Sequence, residues 1–354
     1  MRPDDAANLA KAIRELFADA ETSLIAKVAA TLAKGLDDPG WAQLKLASIQ
    51  GLLVVVDEIL AGLATDAPGA IEKALTLAYS GGSASASAGL ASAVGYAPVA
   101  PNSAISTMVA STVETLPAQM FQIRRAVTDM YQQVITRTTA QVSLGVLTRR
   151  EASRAALVRL AQNGITSFQD KSGRRWNMAS YTEMAVRSGA MNASLQGVVD
   201  RLARLEQDLV IVDDAIEECR MCRPFEGKVL SLTGARRAEK LSDGVRVYAT
   251  LDAARQAGLF HNNCRHAMSI YLPGITKREP AVADPEGNAL REQQRAFERR
   301  IRELKRRDAI DQELGGPEAA ATRAKLRAKQ QEFKAWREDN GRKNLSYRTN
   351  TTAR

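Results

Sequence analysis

The sequence predicts a mostly α-helical chain that carries one small α+β domain toward its C-terminal side. Three observations lead there. Aromatic residues make up only 5% of the 354 positions, while Ala, Leu, Arg, Glu and Gln are plentiful, a composition that favours helices. Short β-branched runs cluster between about residues 208 and 272. The chain's three cysteines and two histidines, Cys219, Cys222, His261, Cys264 and His266, all fall inside that same stretch.

Taken in order, Leu9, Ile13, Leu16, Phe17, Leu24 and Val28 recur at helical spacing from Asp4 to about Lys34. The run Gly35-Leu-Asp-Asp-Pro39-Gly40 ends that helix, and Asp38 is placed to cap the next one. This second helix is expected from about Trp41 to Leu63 and a third from about Pro68 to Tyr79. Residues 80–103, with Gly81-Gly82, alternating Ser and Ala, then Pro98 and Pro101, read as a flexible connector. A further helical block is expected from about Ile105 to Leu205. It holds a long helix from about Pro117 to Leu144, and a capping box at Thr148 and Glu151 that opens a helix to about Gln162. Turns at Asn163-Gly164 and at Asp170-Lys-Ser-Gly173 precede the last helix of the block, about Met178 to Leu205.

At Asp208 the texture changes. Leu209-Val-Ile-Val212, Lys228-Val-Leu-Ser-Leu232, Val245-Arg-Val-Tyr248 and Ala267-Met-Ser-Ile-Tyr-Leu272 are bounded by turn residues and read as four short strands. After Pro280 come charged helices, from Asn288 to about Leu314 and, beyond Gly315-Gly316-Pro317, to about Trp336. Leu290, Phe297, Ile301 and Leu304 form a narrow stripe on the first of these, which predicts an exposed, partner-facing arm over residues 288–336. The expected organisation is therefore a helical N-terminal region with connector (1–103), a helical domain (104–206), a small α+β metal-binding domain (207–276), and a charged C-terminal arm and tail (277–354).

The Cys and His residues fall into two close groups, Cys219-Arg-Met-Cys222 and His261-Asn-Asn-Cys264-Arg-His266. Thiolates and imidazoles brought together as two pairs are how tetrahedral zinc is usually held. Cys219, Cys222, His261 and Cys264 are the expected ligands of a structural zinc that clamps a sheet too small to be stable alone. His266 is then expected outside the ligand set, as an outer hydrogen-bonding partner. Three cysteines can also be inert buried hydrophobes, and Cys-x-x-Cys can be a redox pair, which leaves Cys264 without a role. The odd cysteine count speaks against a disulfide framework. The nucleotide-deaminase order, His-x-Glu before Pro-Cys-x-x-Cys, is reversed here and lacks its glutamate. A His-Asn-His nuclease would need histidines that a thiolate site already occupies. Arg187 and Glu226 are expected to pair or cap backbone groups rather than to do acid–base chemistry.

The net charge of +9 is uneven: residues 277–354 hold 20 Lys and Arg against 13 Asp and Glu. That surplus points to an acidic partner such as nucleic acid or a negatively charged protein surface, or to a solvated helix with interspersed charge. The most apolar run, Leu46 to Ala64, contains Asp57 and Glu58 near its centre, which reads as a buried helix rather than a membrane span. The start, Met1-Arg2-Pro3-Asp4-Asp5, has no apolar segment of a secretory leader.

The run Asp208-Leu-Val-Ile-Val212, then Cys219-Arg-Met-Cys222-Arg-Pro-Phe-Glu-Gly227-Lys-Val229, then Phe260-His261-Asn-Asn-Cys264-Arg-His266 and Tyr271-Leu-Pro-Gly274 resembles the minor capsid proteins of tailed bacteriophages. These form the minor capsid protein 2 family, related to the Mu-type head-morphogenesis proteins. The resemblance also takes in Trp176, Tyr181, Met184 and Arg187 upstream and the basic helix from Gln294 to Arg302 downstream. It covers about Gly145 to Trp336 and says nothing specific of residues 1–100. Two positions depart from the pattern: Asn262 stands where the family usually has proline, and His266 where Mu-type relatives have cysteine.

The resemblance implies a virion structural protein and no enzymatic activity. It implies a minor component at the portal vertex or head interior, present in the host cytoplasm during assembly. Its expected partners are the portal protein, other capsid components and packaged double-stranded DNA met by the basic C-terminal end, with no membrane. A zinc-containing nucleic-acid-binding protein is the competing class, weakened by the lack of an aromatic platform for bases.

Overall fold

The computed structural model describes residues 8–88, 103–165, 168–169, 175–215, 217–261, 264–278 and 280–350. The helices are α1 (Lys11–Ala33), α2 (Trp41–Ala47), α3 (Ile49–Ala88), α4 (Ser103–Glu114), α5 (Leu116–Ser143), α6 (Arg149–Asn163), α7 (Met178–Arg204), α8 (Leu251–Gln256), α9 (Pro285–Leu314) and α10 (Pro317–Asp339). The strands are β1 (Phe168–Gln169), β2 (Arg175–Trp176), β3 (Leu209–Val212), β4 (Val229–Ser231), β5 (Ala249–Thr250) and β6 (Met268–Ile270). The chain divides into two compact units, each assembled from three separated stretches. One comprises residues 1–12, 69–113 and 183–292, the other residues 13–68, 114–182 and 293–354.

The first unit contains a four-stranded sheet in the order β5-β4-β3-β6. β3 lies antiparallel to β4, with Val210 opposite Leu230, and antiparallel to β6, with Val210 opposite Ile270. β5 joins the edge parallel to β4. Alternation sends Val210, Val212, Leu230, Met268 and Ile270 to one face, where they meet Leu195, Val198 and Leu202 of α7 and Ala86 of α3. Leu209, Ile211 and Val229 point the other way, onto Leu241, Val247 and Tyr271. All four residues of β3 are therefore buried, as expected of a strand covered on both faces. Asp208, just before β3, ties down the chain after β4: its carboxylate accepts from the Ser231 hydroxyl at 2.6 Å and the Thr233 amide at 2.7 Å.

The second unit is helical around Ile13, Phe17, Leu24, Val28 and Leu32 of α1, Trp41, Val56 and Leu60, Ile123, Val127 and Tyr131 of α5, Leu157, and Ile301, Leu304 and Ile310 of α9. Trp41 donates its indole N–H to the Leu32 carbonyl at 3.0 Å, and the Tyr131 hydroxyl donates to the Lys45 carbonyl at 3.0 Å. The capping box at α6 forms as expected: the Thr148 amide donates to Glu151 at 2.9 Å and the Glu151 amide to the Thr148 hydroxyl at 3.3 Å.

Four expectations are corrected. The helix breaks expected near Leu63 and Pro68 do not occur, and α3 runs through Pro68. A proline inside a helix costs about 3 kcal/mol, and here the apolar face formed by Leu52, Val56, Leu60, Leu63, Ala67, Ile71 and Leu75 is buried on both sides of it. Residues 80–88 of the expected flexible connector are helical, and 89–102 lie outside the described residues, as do the turn residues Asp170 to Arg174. Val245–Tyr248 is not a strand. Arg246 makes only an isolated bridge to Lys240, and the strand falls on Ala249–Thr250.

The fourth correction concerns the expected exposed arm: α9 is packed into the second unit, while α10 buries only Thr322 and Phe333. Ile301, Leu304, Ile310 and Leu314 are buried. Phe297 stacks on Phe333 of α10, ring centres 5.3 Å apart. Arg306 is buried, donating to the Ala161 carbonyl at 2.8 Å and lying 3.6 Å from the Glu21 carboxylate. Arg150 and Arg154 of α6 donate to the carbonyls of Leu314 and Gly315, satisfying groups that the end of α9 leaves open. The stripe looked narrow because residues that read as charged or polar, notably Gln294, Glu298, Arg306 and Asp311, are buried beside it.

Among the described residues no single helix is long and apolar enough to cross a membrane; α2 and α3 pass such a test together, bent by 48° at their junction.

Candidate metal centre

The two halves of the Cys/His set are delivered by different parts of the first unit. Cys219 and Cys222 lie in a turn after β3, in which the amides of Cys222 and Arg223 both donate to the Cys219 carbonyl, at 3.2 and 3.1 Å. The Cys222 amide also points at the Cys219 Sγ, at 3.4 Å. A short 3₁₀ turn, Arg223–Phe225, comes next. Gly227, at φ +66°, then turns the chain into β4 as its amide donates to the Val212 carbonyl at 2.9 Å. Glu226 is thereby carried into the interior. The second half lies just after α8. Gly258 and Phe260, at φ +106° and +60°, reverse the chain, and the Cys264 amide donates to the His261 carbonyl at 2.9 Å. A Cβ on Gly258 would come within 2.9 Å of Met221 Cε, so the two halves touch closely there.

The structure brings together all four expected ligands and, with them, His266. Cys222 Sγ is 3.3 Å from Cys264 Sγ, and Cys219 Sγ is 2.9 Å from His261 Nε2. His266 was expected to stand outside this set, yet its Nδ1 lies 3.4 Å from Cys264 Sγ. Two triads overlap, Cys219-Cys222-His266 and Cys222-His261-Cys264, and within each the three ligand atoms lie within 4.8 Å of one another. Cys222 belongs to both and is fully buried. Asn262, the position that departs from the family's proline, lies outside the described residues.

Burial and mutual contact set the electrostatics. The Cys222 thiol is pushed up to about 12 by its hydrogen bond to Cys264 and by burial, and the Cys264 thiol is correspondingly lowered. Burial raises Cys219 as well. Burial opposes charge on His266, but its contacts with Cys222 and Glu226 outweigh that and raise it. Soft thiolates with imidazole suit zinc and disfavour magnesium or calcium.

Glu226 pairs, as expected, with a partner that the sequence did not indicate. Its Oε1 sits 2.5 Å from His266 Nε2, both side chains only 1% exposed. No local pattern announces a contact between residues 40 positions apart. Arg187 takes the pairing role expected of it, 3.9 Å from Glu183 one turn earlier on α7. It also lines a small cleft with Met191, Leu195, Phe260, His261 and His266.

Over residues 1–337 the chain matches the family model described as Phage minor capsid protein 2. This reaches the first 100 residues, where the motifs carried no resemblance. The chain is also similar to a protein named "Structural protein" from Lactococcus phage LL-H, with 24% identity over 199 residues, 54% of this chain and 53% of that relative. It thus spans about half the length of that curated relative. No solved structure matches the chain.

Proposed function

Because the chain belongs to the phage minor capsid protein 2 family, and so has a structural role in the virion, we propose that it works at the portal vertex or inner face of the head. In this reading it binds the portal protein and neighbouring capsid components, and also packaged double-stranded DNA. It would join the particle from the host cytoplasm during assembly.

The observation that carries the DNA part is the distribution of charge on the C-terminal helices. With Ile301 and Leu304 of the α9 stripe buried, Arg299 and Arg300 of α9 and Arg323, Lys325, Arg327 and Lys334 of α10 remain exposed. Neutralising phosphates with such residues releases counterions and makes binding strongly salt-dependent. The name of the Lactococcus phage relative, a structural protein, supports assembly as the primary role.

The test is co-expression with the portal protein and recovery of a joint complex, alongside DNA binding measured across salt concentrations. A portal complex that survives Arg323→Glu and Lys325→Glu, together with a DNA affinity those changes abolish, is expected. If the four α10 residues each contact a phosphate, log K against log salt should fall with a slope of about −3.6. Salt-dependent DNA binding without portal association would favour the second reading, a zinc-containing nucleic-acid-binding protein.

A further inference from the structure

We propose that Cys219, Cys222, Cys264 and His266 hold one zinc ion, with Glu226 fixing His266 from behind and His261 donating to the Cys219 thiolate from outside. This goes beyond the capsid role and stands independently of portal or DNA binding.

Five candidate side chains compete for four tetrahedral positions, and three observations choose among them. The first is orientation. His266 turns Nδ1 toward the sulfurs and leaves Nε2 to Glu226. A ligating histidine whose other nitrogen donates to a carboxylate is the recurrent support for zinc, because it fixes the tautomer and strengthens the ligand. The second is burial: His266 and Glu226 are enclosed, whereas His261 is only partly covered. A buried carboxylate is costly unless it is bonded, and directing it at His266 rather than His261 marks which imidazole the fold holds rigidly.

The third is the environment of the sulfurs. The amides of Cys222 and His266 point at the Sγ atoms of Cys219 and Cys264, at 3.4 and 3.3 Å. Such donors offset the charge that three thiolates carry around a divalent ion. His261 Nε2, at 2.9 Å from Cys219 Sγ, supplies a further donor of this kind. Bonds of about 2.3 Å to sulfur and 2.0 Å to nitrogen place tetrahedral ligand atoms roughly 3.5–3.8 Å apart. The 3.3 Å between Cys222 and Cys264 and the 3.4 Å between Cys264 and His266 lie close to that spacing. They lie far outside the roughly 2.05 Å of a disulfide.

The experiment uses the full chain, purified reduced, with metal content by elemental analysis and X-ray absorption at the zinc edge. One zinc per chain with three sulfurs and one imidazole nitrogen is expected. His261→Ala should keep that stoichiometry and the imidazole signal, while His266→Ala loses the signal. Glu226→Gln, which keeps the shape of the side chain, should weaken affinity by about 10- to 100-fold in a chelator competition. If His266→Ala fails to fold, the His261→Ala spectrum alone decides. Zinc well below one per chain in the reduced wild type, or an imidazole signal lost with His261→Ala and kept with His266→Ala, overturns the assignment.

Discussion

Gly82 of α3 lies so close to Ser194 of α7 that a Cβ placed on it would sit 1.9 Å from the Ser194 carbonyl oxygen. One turn further along α7, a Cβ on Gly197 would come within 2.2 Å of the Tyr79 carbonyl. The two helices meet backbone to backbone, and the Tyr79 hydroxyl donates to Asp200 at 2.8 Å beside them. The Ser/Ala/Gly texture that suggested a loose connector is, over residues 80–88, the texture of close packing.

Gly82→Ala should therefore destabilise the protein by about 1–3 kcal/mol, the usual cost of overpacking. This is despite the roughly 1 kcal/mol that alanine gains over glycine inside a helix. Gly62→Ala, on the same helix with nothing within 4 Å of the added carbon, should stabilise by about that amount. Urea denaturation of the pair checks the contrast, and equal effects would mean the close approach is not real.

Glu21→Gln should cost about 3 kcal/mol, in the range for breaking a buried ion pair. The neutral side chain can still accept from the Ile165 amide, now at 2.8 Å, but Arg306 is left buried without its opposite charge. Thermal melting reads the loss. A change below about 0.5 kcal/mol would show the pair to be solvated, as exposed pairs are.

Asp208 makes stability depend on acid. Burial pushes its carboxyl up, but hydrogen bonds from Ser231 and Thr233 outweigh that and hold it below its ordinary value. A depressed folded-state value means its contribution is present above the unfolded value of about 3.9 and is lost as pH falls through the lower folded value. Asp208→Asn should flatten this acid limb and cost about 1–2 kcal/mol at neutral pH through weakened charged hydrogen bonds. An unchanged acid limb in denaturation from pH 7 to 2 counts against it.

Limited proteolysis of the free chain should leave residues 293–339 resistant, since Phe297, Phe333 and Trp336 close on one another with ring centres 5.3–6.3 Å apart. Phe333→Ala should destabilise by about 3 kcal/mol and open that region to cleavage. Rapid cleavage of the wild type there would restore the exposed arm.

Much of this protein was legible before any tertiary contact was known. Helical periodicity located α5, α6, α7 and α9, and the end of α1, to within a few residues, and the Thr148–Glu151 cap, being local, formed as expected. The rarity of Cys and His alone marked Cys219, Cys222, His261, Cys264 and His266, because those side chains have few uses in common. The tertiary structure decided the features that depend on residues distant in sequence. It carried α3 through Pro68, since burial on both sides of a proline offsets a local penalty that periodicity cannot weigh. It moved a strand from Val245–Tyr248 to Ala249–Thr250, where a parallel neighbour was available. It turned Arg306 and Glu298 inward, because a charged residue can be buried once an opposite charge or carbonyl from elsewhere meets it. And it put Glu226 behind His266, a pairing set by which ends of β4 and β6 the sheet brings together, not by anything adjacent to either residue in the chain.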